Sequence, residues 1–170
     1  MVTERDYTRR IAELKEKKEQ LIKQIVALSE GKVEYQVLIS FPSIGETTAV
    51  RIIGELGDIR RFKTHKQLNA YVGIDVRVYQ SGKYEMKDII NRRGNRHLRK
   101  ILFFMVKTMI TLRQKIKNHF VEYYDKLKTQ PQRKPHKVEC VACMNKFLKV
   151  AFHLITHGIT YDYEAATNYS

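Results

Sequence analysis

The chain has 170 residues, a formal net charge of +14 and a sequence pI near 9.8. A surplus of that size makes a positive field that draws in polyphosphate backbones or an acidic membrane surface. No apolar run reaches the 18 or so residues that a span needs, and the first ten residues are polar, without the apolar core of a signal peptide. A soluble, cytoplasmic chain with no membrane partner is expected. At 43% hydrophobic and 29% charged, the composition supports a packed core and excludes wholesale disorder. The only cysteines are Cys140 and Cys143, which make no disulfide framework and fit a reducing compartment.

Residues 3–28 contain no Gly or Pro, and their apolar residues fall on a seven-residue repeat. Tyr7, Leu14, Leu21 and Leu28 hold one seam position; Ile11 and Ile25 hold the other, where Lys18 interrupts. Ile at one position with Leu at the other is favoured in parallel dimers, and antiparallel pairing stays open. The competing reading is one amphipathic helix packed on its own domain. Ser29-Glu30-Gly31 reads as the stop. Residues 34–57 read as helix, tight turn, helix, with the turn at Phe41-Pro42-Ser43-Ile44-Gly45. Residues 58–70 are short and partly helical, with Leu68 and Tyr71 inward. Ile74, Val76 and Val78 then alternate with polar residues at strand period, Ser81-Gly82 signals a turn, and a second strand fits near residues 84–86. A long helix is predicted from about Asn95, with Leu98, Ile101, Leu102, Met105, Met109 and Leu112 as its stripe. A basic and aromatic stretch follows to Leu127, then a loop over 129–137 and a last helix over 138–157 with Val141, Leu148, Phe152 and Ile155 inward. The tail from Thr160 is expected to be poorly ordered.

Three features carry chemistry. The turn over residues 41–45 looks like a helix-hairpin-helix motif, whose amides would meet a duplex phosphate at the start of the second helix, making Ser43 and Gly45 candidate contacts. Ser43 stands where such a tip usually carries glycine, and a purely structural hairpin is the alternative. Next, Arg92, Arg93, Arg96, Arg99 and Lys100 lie within nine residues, around Gly94-Asn95 and at a helix start. Cations there oppose the helix dipole, and a bound phosphate would offset the cost; a solvated charged face is the alternative. Last, Tyr79-Gln80-Ser81-Gly82-Lys83 exposes a serine on a turn, with Lys83 and the arginines as charge for a phosphoryl centre.

Residues 39–154 resemble the C-terminal domain of the bridge-RNA-guided insertion-sequence transposases of the insertion sequence 110 family, grouped with 116 and 902. The residues that carry the resemblance are Pro42-Ser43-Ile44-Gly45 with Ala49, Glu55-Leu56-Gly57-Asp58-Ile59, Arg61-Phe62, Leu68, Ala70-Tyr71-Val72-Gly73, Gln80-Ser81-Gly82, and Arg93-Gly94-Asn95 with Leu98-Arg99, in order. Val76 departs from the proline that the family often has after Gly73-Ile74-Asp75. The resemblance implies that Ser81 attacks a DNA phosphodiester and forms a phosphoserine, with the arginines and Asn95 steadying the phosphate. It implies DNA and a guide RNA as partners, in a dimer or tetramer. It also implies a preceding RuvC-like domain with metal-binding acids; these residues do not include it, so an excised domain or truncated product is expected. No cofactor is expected on this chain, and Mg2+ is expected in the RuvC-like domain.

The expected fold is mainly α: a coiled-coil helix over 1–30, a helical domain over 31–158 with the hairpin motif and a small β-hairpin or loop carrying Ser81-Gly82, and a tail over 159–170. The alternative function is a non-catalytic DNA or RNA binder, or a regulatory transposase fragment. Two patterns are set aside. Cys140-x-x-Cys143 with His153-x-x-x-His157 mimics zinc spacing, but one helix would hold the pairs roughly 15 Å apart, so buried cysteines are expected. Glu55, Asp58, Asp75 and Asp88 are read as a helix end and solvated loops rather than a nuclease site.

Overall fold

The computed structural model describes the backbone of residues 3–77, 80–81, 84–85, 89–91, 93–131 and 134–167. The fold is mainly α. Helix α1 (Glu4–Ser29) starts where Thr3 donates its amide and hydroxyl to the Asp6 carboxylate, at 2.8 and 2.7 Å. Only its C-terminal end packs, with Val26 and Ser29 buried against the rest of the chain. Tyr7, Ile11, Leu14, Leu21 and Ile25 stay about half exposed, and Leu28 is 77% exposed. The heptad seam is therefore a different face from the one packed at home.

Helices α2 (Val33–Ser40) and α3 (Glu46–Leu56) form the predicted hairpin about residues 41–45. A short 3-10 turn (Ile59–Arg61) and α4 (His65–Val72) follow, each capped by a side chain: Asp58 accepts from the Arg60 amide at 2.9 Å, and Thr64 from the Gln67 amide at 3.4 Å. Strands β1 (Val76–Arg77), β2 (Gln80–Ser81), β3 (Tyr84–Glu85) and β4 (Ile89–Ile90) pair antiparallel, β1 with β4 and β2 with β3. Helix α5 (Arg96–Thr111) buries Leu98, Leu102, Met105, Val106 and Met109. The basic and aromatic stretch after it contains a separate helix, α6 (His119–Thr129), started by Asn118 accepting from the Phe120 amide at 2.8 Å. The long helix α7 (His136–His157) runs against α2, α4, α5, α6 and the 3-10 turn.

The core centres on Phe41, Phe120 and Phe147, with ring centroids 5.0–6.0 Å apart. Phe41 comes from the hairpin turn itself, so the turn hangs on α6 and α7 by an aromatic anchor. Cys140 and Cys143 are buried on the inner face of α7, and burial pushes the Cys143 thiol up to about 12, which keeps it protonated. Residues 161–167 are tied to the core. Tyr161 stacks on Phe41 at 4.9 Å and donates its amide to Ser40 Oγ at 2.7 Å, and Tyr163 opens a short helix, α8 (Tyr163–Thr167), with its hydroxyl on Glu122. The aromatic ring, which polarity averages of the tail conceal, fixes it.

Two glycines meet where the ribbon leaves and rejoins the helices. A Cβ on Gly94 would lie 2.3 Å from Tyr71 O and 2.4 Å from the Gly73 amide nitrogen. One on Gly73, which sits at φ +76, would lie 2.6 Å from Asn91 O. Backbone cannot yield as a flexible side chain can. Gly94→Ala is therefore expected to lower the unfolding free energy by at least about 2 kcal/mol. Gly54→Ala, inside α3 with nothing within 4 Å of the new Cβ, is expected to raise it by about 0.5–1 kcal/mol through helix propensity. Urea midpoints measure both; equal midpoints for the two variants would contradict the contact.

Candidate nucleic-acid interface

The hairpin tip carries strain. Ser43 sits at φ 68, the left-handed region, which costs an L-residue roughly 1–2 kcal/mol. Its buried Oγ has no hydrogen-bond partner among the described residues. Gly45 is exposed and is the N-cap of α3, with no side chain to cap it. Glu46 then places a carboxylate at the positive end of α3, the charge that a phosphate there would otherwise bring.

The start of α5 is built differently. Asn95 is its N-cap: Oδ1 accepts from the amides of His97 at 2.9 Å and Leu98 at 3.0 Å. Its Nδ2 donates to Glu55 Oε2 at 2.8 Å, and its own amide donates to Tyr71 O at 2.7 Å. The Tyr71 hydroxyl donates to Glu55 O at 2.8 Å. Asn95 thus ties α3, α4 and α5 together with both ends of its amide. Glu55, read from sequence as a helix end, does lie in the last turn of α3 and is also the acceptor that aims this cap. Asp75 is also no solvated loop residue: Asn91 donates its side-chain amide to Asp75 Oδ2 at 3.4 Å and its backbone amide to Asp75 O at 2.8 Å, while Asp75 Oδ1 is buried without a partner among the described residues. Asp88 lies outside the described residues.

The cations divide. Arg93, Arg96 and Lys100 are exposed. Arg99 is half-buried and donates from Nη1 to Val72 O at 2.7 Å, so it braces the glycine contact. No acid lies in the first turn of α5, so nothing on that turn offsets the exposed cations. Arg61 joins them from outside the predicted cluster, with its guanidinium carbon 4.8 Å from the Phe62 ring centre and 4.7 Å from that of Tyr71. The sequence signal for it was the Arg61-Phe62 pair, which gains meaning only once Tyr71 is seen beside Asn95. Lys83 and Arg92 lie outside the described residues. Ser81 is placed by its backbone alone, in β2 opposite Tyr84.

Between α1, α3 and α5 runs an open groove of about 800 Å³. Ser43, Arg51, His97 and Lys100 line it, together with Ile22, Ile25, Ile101, Phe104 and Met105. The structure therefore brings Ser43 and Lys100 to one groove, which sequence spacing did not suggest. Among the described residues no three His, Cys, Asp or Glu side chains converge as a metal site, and no helix is long and apolar enough to cross a membrane.

These features occur in a chain whose relatives are identifiable. The transposase for insertion sequence element IS1111A of Coxiella burnetii is 29% identical over 138 residues, covering 81% of this chain and 37% of that protein. A probable family 20 transposase of Pseudomonas aeruginosa is 27% identical over 141 residues, covering 83% and 41%. The transposase for insertion sequence element IS1328 of Yersinia enterocolitica is 25% identical over 129 residues, covering 75% and 37%. The chain spans about two fifths of the length of these relatives. The family model for the IS116/IS110/IS902 transposases matches residues 35–124, from α2 through the ribbon and α5 to α6. On that match, the chain belongs to the IS116/IS110/IS902 transposase family.

Proposed function

We propose that this chain is the DNA-binding, serine-bearing portion of a transposase, acting in DNA strand exchange. The observation that carries the reading is the start of α5. There the exposed Arg93 and Arg96 stand at the positive end of the helix dipole, with Lys100 one turn on, and α5 has no acid in its own first turn; one carboxylate, Glu55 of α3, reaches the Asn95 cap. Phosphates are the charge that such a site takes. The hairpin tip at Ser43 and Gly45 is a second, weaker contact, because Glu46 already occupies its helix end. Residues 31–158 form the working domain in this reading. A guide RNA and a separate Mg2+-binding RuvC-like domain are the further components that the family resemblance calls for.

DNA affinity should therefore fall steeply with salt, because each phosphate contact releases counterions. Replacing Arg93, Arg96 and Lys100 together by Ala should reduce the slope of log affinity against log salt by about 2–3 for duplex DNA. Arg99 is left out of that test because it braces Val72. A slope unchanged from wild type would remove the cluster from the binding surface.

Residues 1–30 serve self-association in this reading. The exposed seam of α1 supports it. Arg10 and Lys15 flank the seam at positions that would face each other in a parallel pair, so antiparallel pairing fits better. Charges introduced at Leu14 and Leu21 should shift the chain from oligomer to monomer in sedimentation. A wild-type chain that stays monomeric at high micromolar concentration would remove the seam as an interface.

Ser81 is the nucleophile in this reading. Its Oγ attacks a DNA phosphorus, the bond from phosphorus to the leaving deoxyribose oxygen breaks, and that oxygen takes a proton. The phosphoserine conserves the bond, so rejoining needs no nucleotide cofactor. In a full-length transposase carrying this segment, Ser81→Ala should abolish strand transfer and leave DNA affinity within about twofold, since one hydroxyl adds little to a cationic surface. Mass spectrometry of the trapped adduct should find the phosphate on Ser81. A phosphate on Tyr79, or full strand transfer by the Ser81→Ala protein, would overturn the assignment and leave a binding module.

A further inference from the structure

We infer that the groove between α1, α3 and α5 is a channel for a single DNA strand, with the Phe104 ring as its base-stacking platform. The inference rests on the DNA-binding reading above and narrows it to one surface and one form of DNA. Phe104 is 54% exposed although its neighbours on α5, Leu102 and Met105, are buried. It lines the groove together with Lys100, one turn earlier on the same helix, and with Arg51 from α3. Lys107 Nζ lies 5.9 Å from the Phe104 ring centre on the solvent side of α5. An exposed ring flanked by cations along an open groove is the combination that holds single strands: rings meet bases, and cations follow the phosphates.

The occupant is argued from charge and from what a ring can reach. Arg51 and Lys100 outnumber the acid in the lining, Glu55, so the net charge of the groove is positive. Lys17 on α1, beside Arg51, extends that charge along the neighbouring wall. A polyanion fits this better than an acid-bearing helix of a second copy, whose own seam carries Lys18. In a duplex both faces of each base are covered by its neighbours, so Phe104 would gain nothing from it; a single strand offers a bare base face. About 800 Å³ is room for on the order of one or two nucleotide units. The choice of DNA over RNA follows from the DNA-binding reading above.

The test uses the intact chain and three fluorescein-labelled probes: a 15-residue oligothymidylate, the matching oligouridylate, and a 15-base-pair duplex. Affinities come from anisotropy at fixed low salt, and circular dichroism confirms that each variant is folded. Phe104→Ala should weaken oligothymidylate binding at least about fivefold, the equivalent of one lost base stack, while duplex affinity changes less than about twofold. Phe104→Trp should restore or exceed the wild-type value. Unchanged oligothymidylate binding by folded Phe104→Ala would overturn the inference, and so would an equal loss on the duplex. Tighter wild-type binding to oligouridylate than to oligothymidylate would overturn the assignment to DNA. If Phe104→Ala instead lowers the sedimenting mass and leaves oligothymidylate affinity alone, the groove is an interface between copies and the inference falls. Wild-type binding to duplex but not to oligothymidylate would sink this inference alone; binding to neither would sink the DNA-binding reading with it.

Discussion

Two peptide backbones touch at Gly73 and Gly94, and the position of every cation on α5 depends on that touch. With a side chain at either place the strands of contact would part by an ångström or more, since a Cβ on Gly94 meets backbone atoms at 2.3–2.6 Å. Because they touch, Tyr71 O reaches the Asn95 amide, and Asn95 can cap α5 while its other end holds Glu55. Arg99 closes the same junction by reaching Val72 O. The groups Tyr71-Val72-Gly73 and Arg93-Gly94-Asn95 are thus one structural joint written in two places in the chain. Their link is spatial, and it fixes where the ribbon is rooted and where the exposed arginines start.

This joint shows what a sequence reading catches and what it loses. Periodicity found α1, α3, α5 and α7 nearly to the residue, because each carries an apolar stripe at helical spacing and clear stops, such as Gly57 after α3. It left α6 inside a basic and aromatic stretch, because the helix start is signalled there by Asn118 alone, among lysines that carry no periodic information. Tertiary aromatic contacts were invisible: Tyr161 is unremarkable in a polar tail until Phe41 is seen beneath it. At the site, the residue types around α5 were legible as cations. Their division into braces and exposed charges was not, since Arg96 and Arg99 differ only in what faces them across space.

The two helix starts that face the groove region carry opposite solutions to one electrostatic problem. Helix α3 opens with Glu46, a carboxylate that complements its dipole. Helix α5 opens with Arg96, after Arg93, and has no acid in its own first turn. Each misplaced cation costs about 0.3–1 kcal/mol near a helix end. Asn95 satisfies two amides and contributes no charge; the carboxylate at this cap is Glu55 of α3, which accepts from Asn95 Nδ2 at 2.8 Å and stands against more than one cation. Keeping cations at that end leaves α5 better satisfied with an anion present than without one, which is what an interface for phosphates requires.

The ribbon adds a constraint on how such an interface could serve Ser81. Val76 pairs with Ile90 and Arg77 with Ile89, and then Gln80 pairs with Glu85 and Ser81 with Tyr84. The second ladder is offset by one residue from the first, because two residues separate β1 from β2 and three separate β3 from β4. Ser81 is therefore set along the ribbon, six residues past Asp75, a path of up to about 20 Å at strand rise. The arginines stand at the root, beside Gly94. In the proposed reading, a phosphate held by Arg93 and Arg96 need not be the one that Ser81 attacks, and the cations would then serve to register the strand. Charge for the attacked phosphate has to come from nearer the tip of the ribbon, or from another element brought to it on assembly.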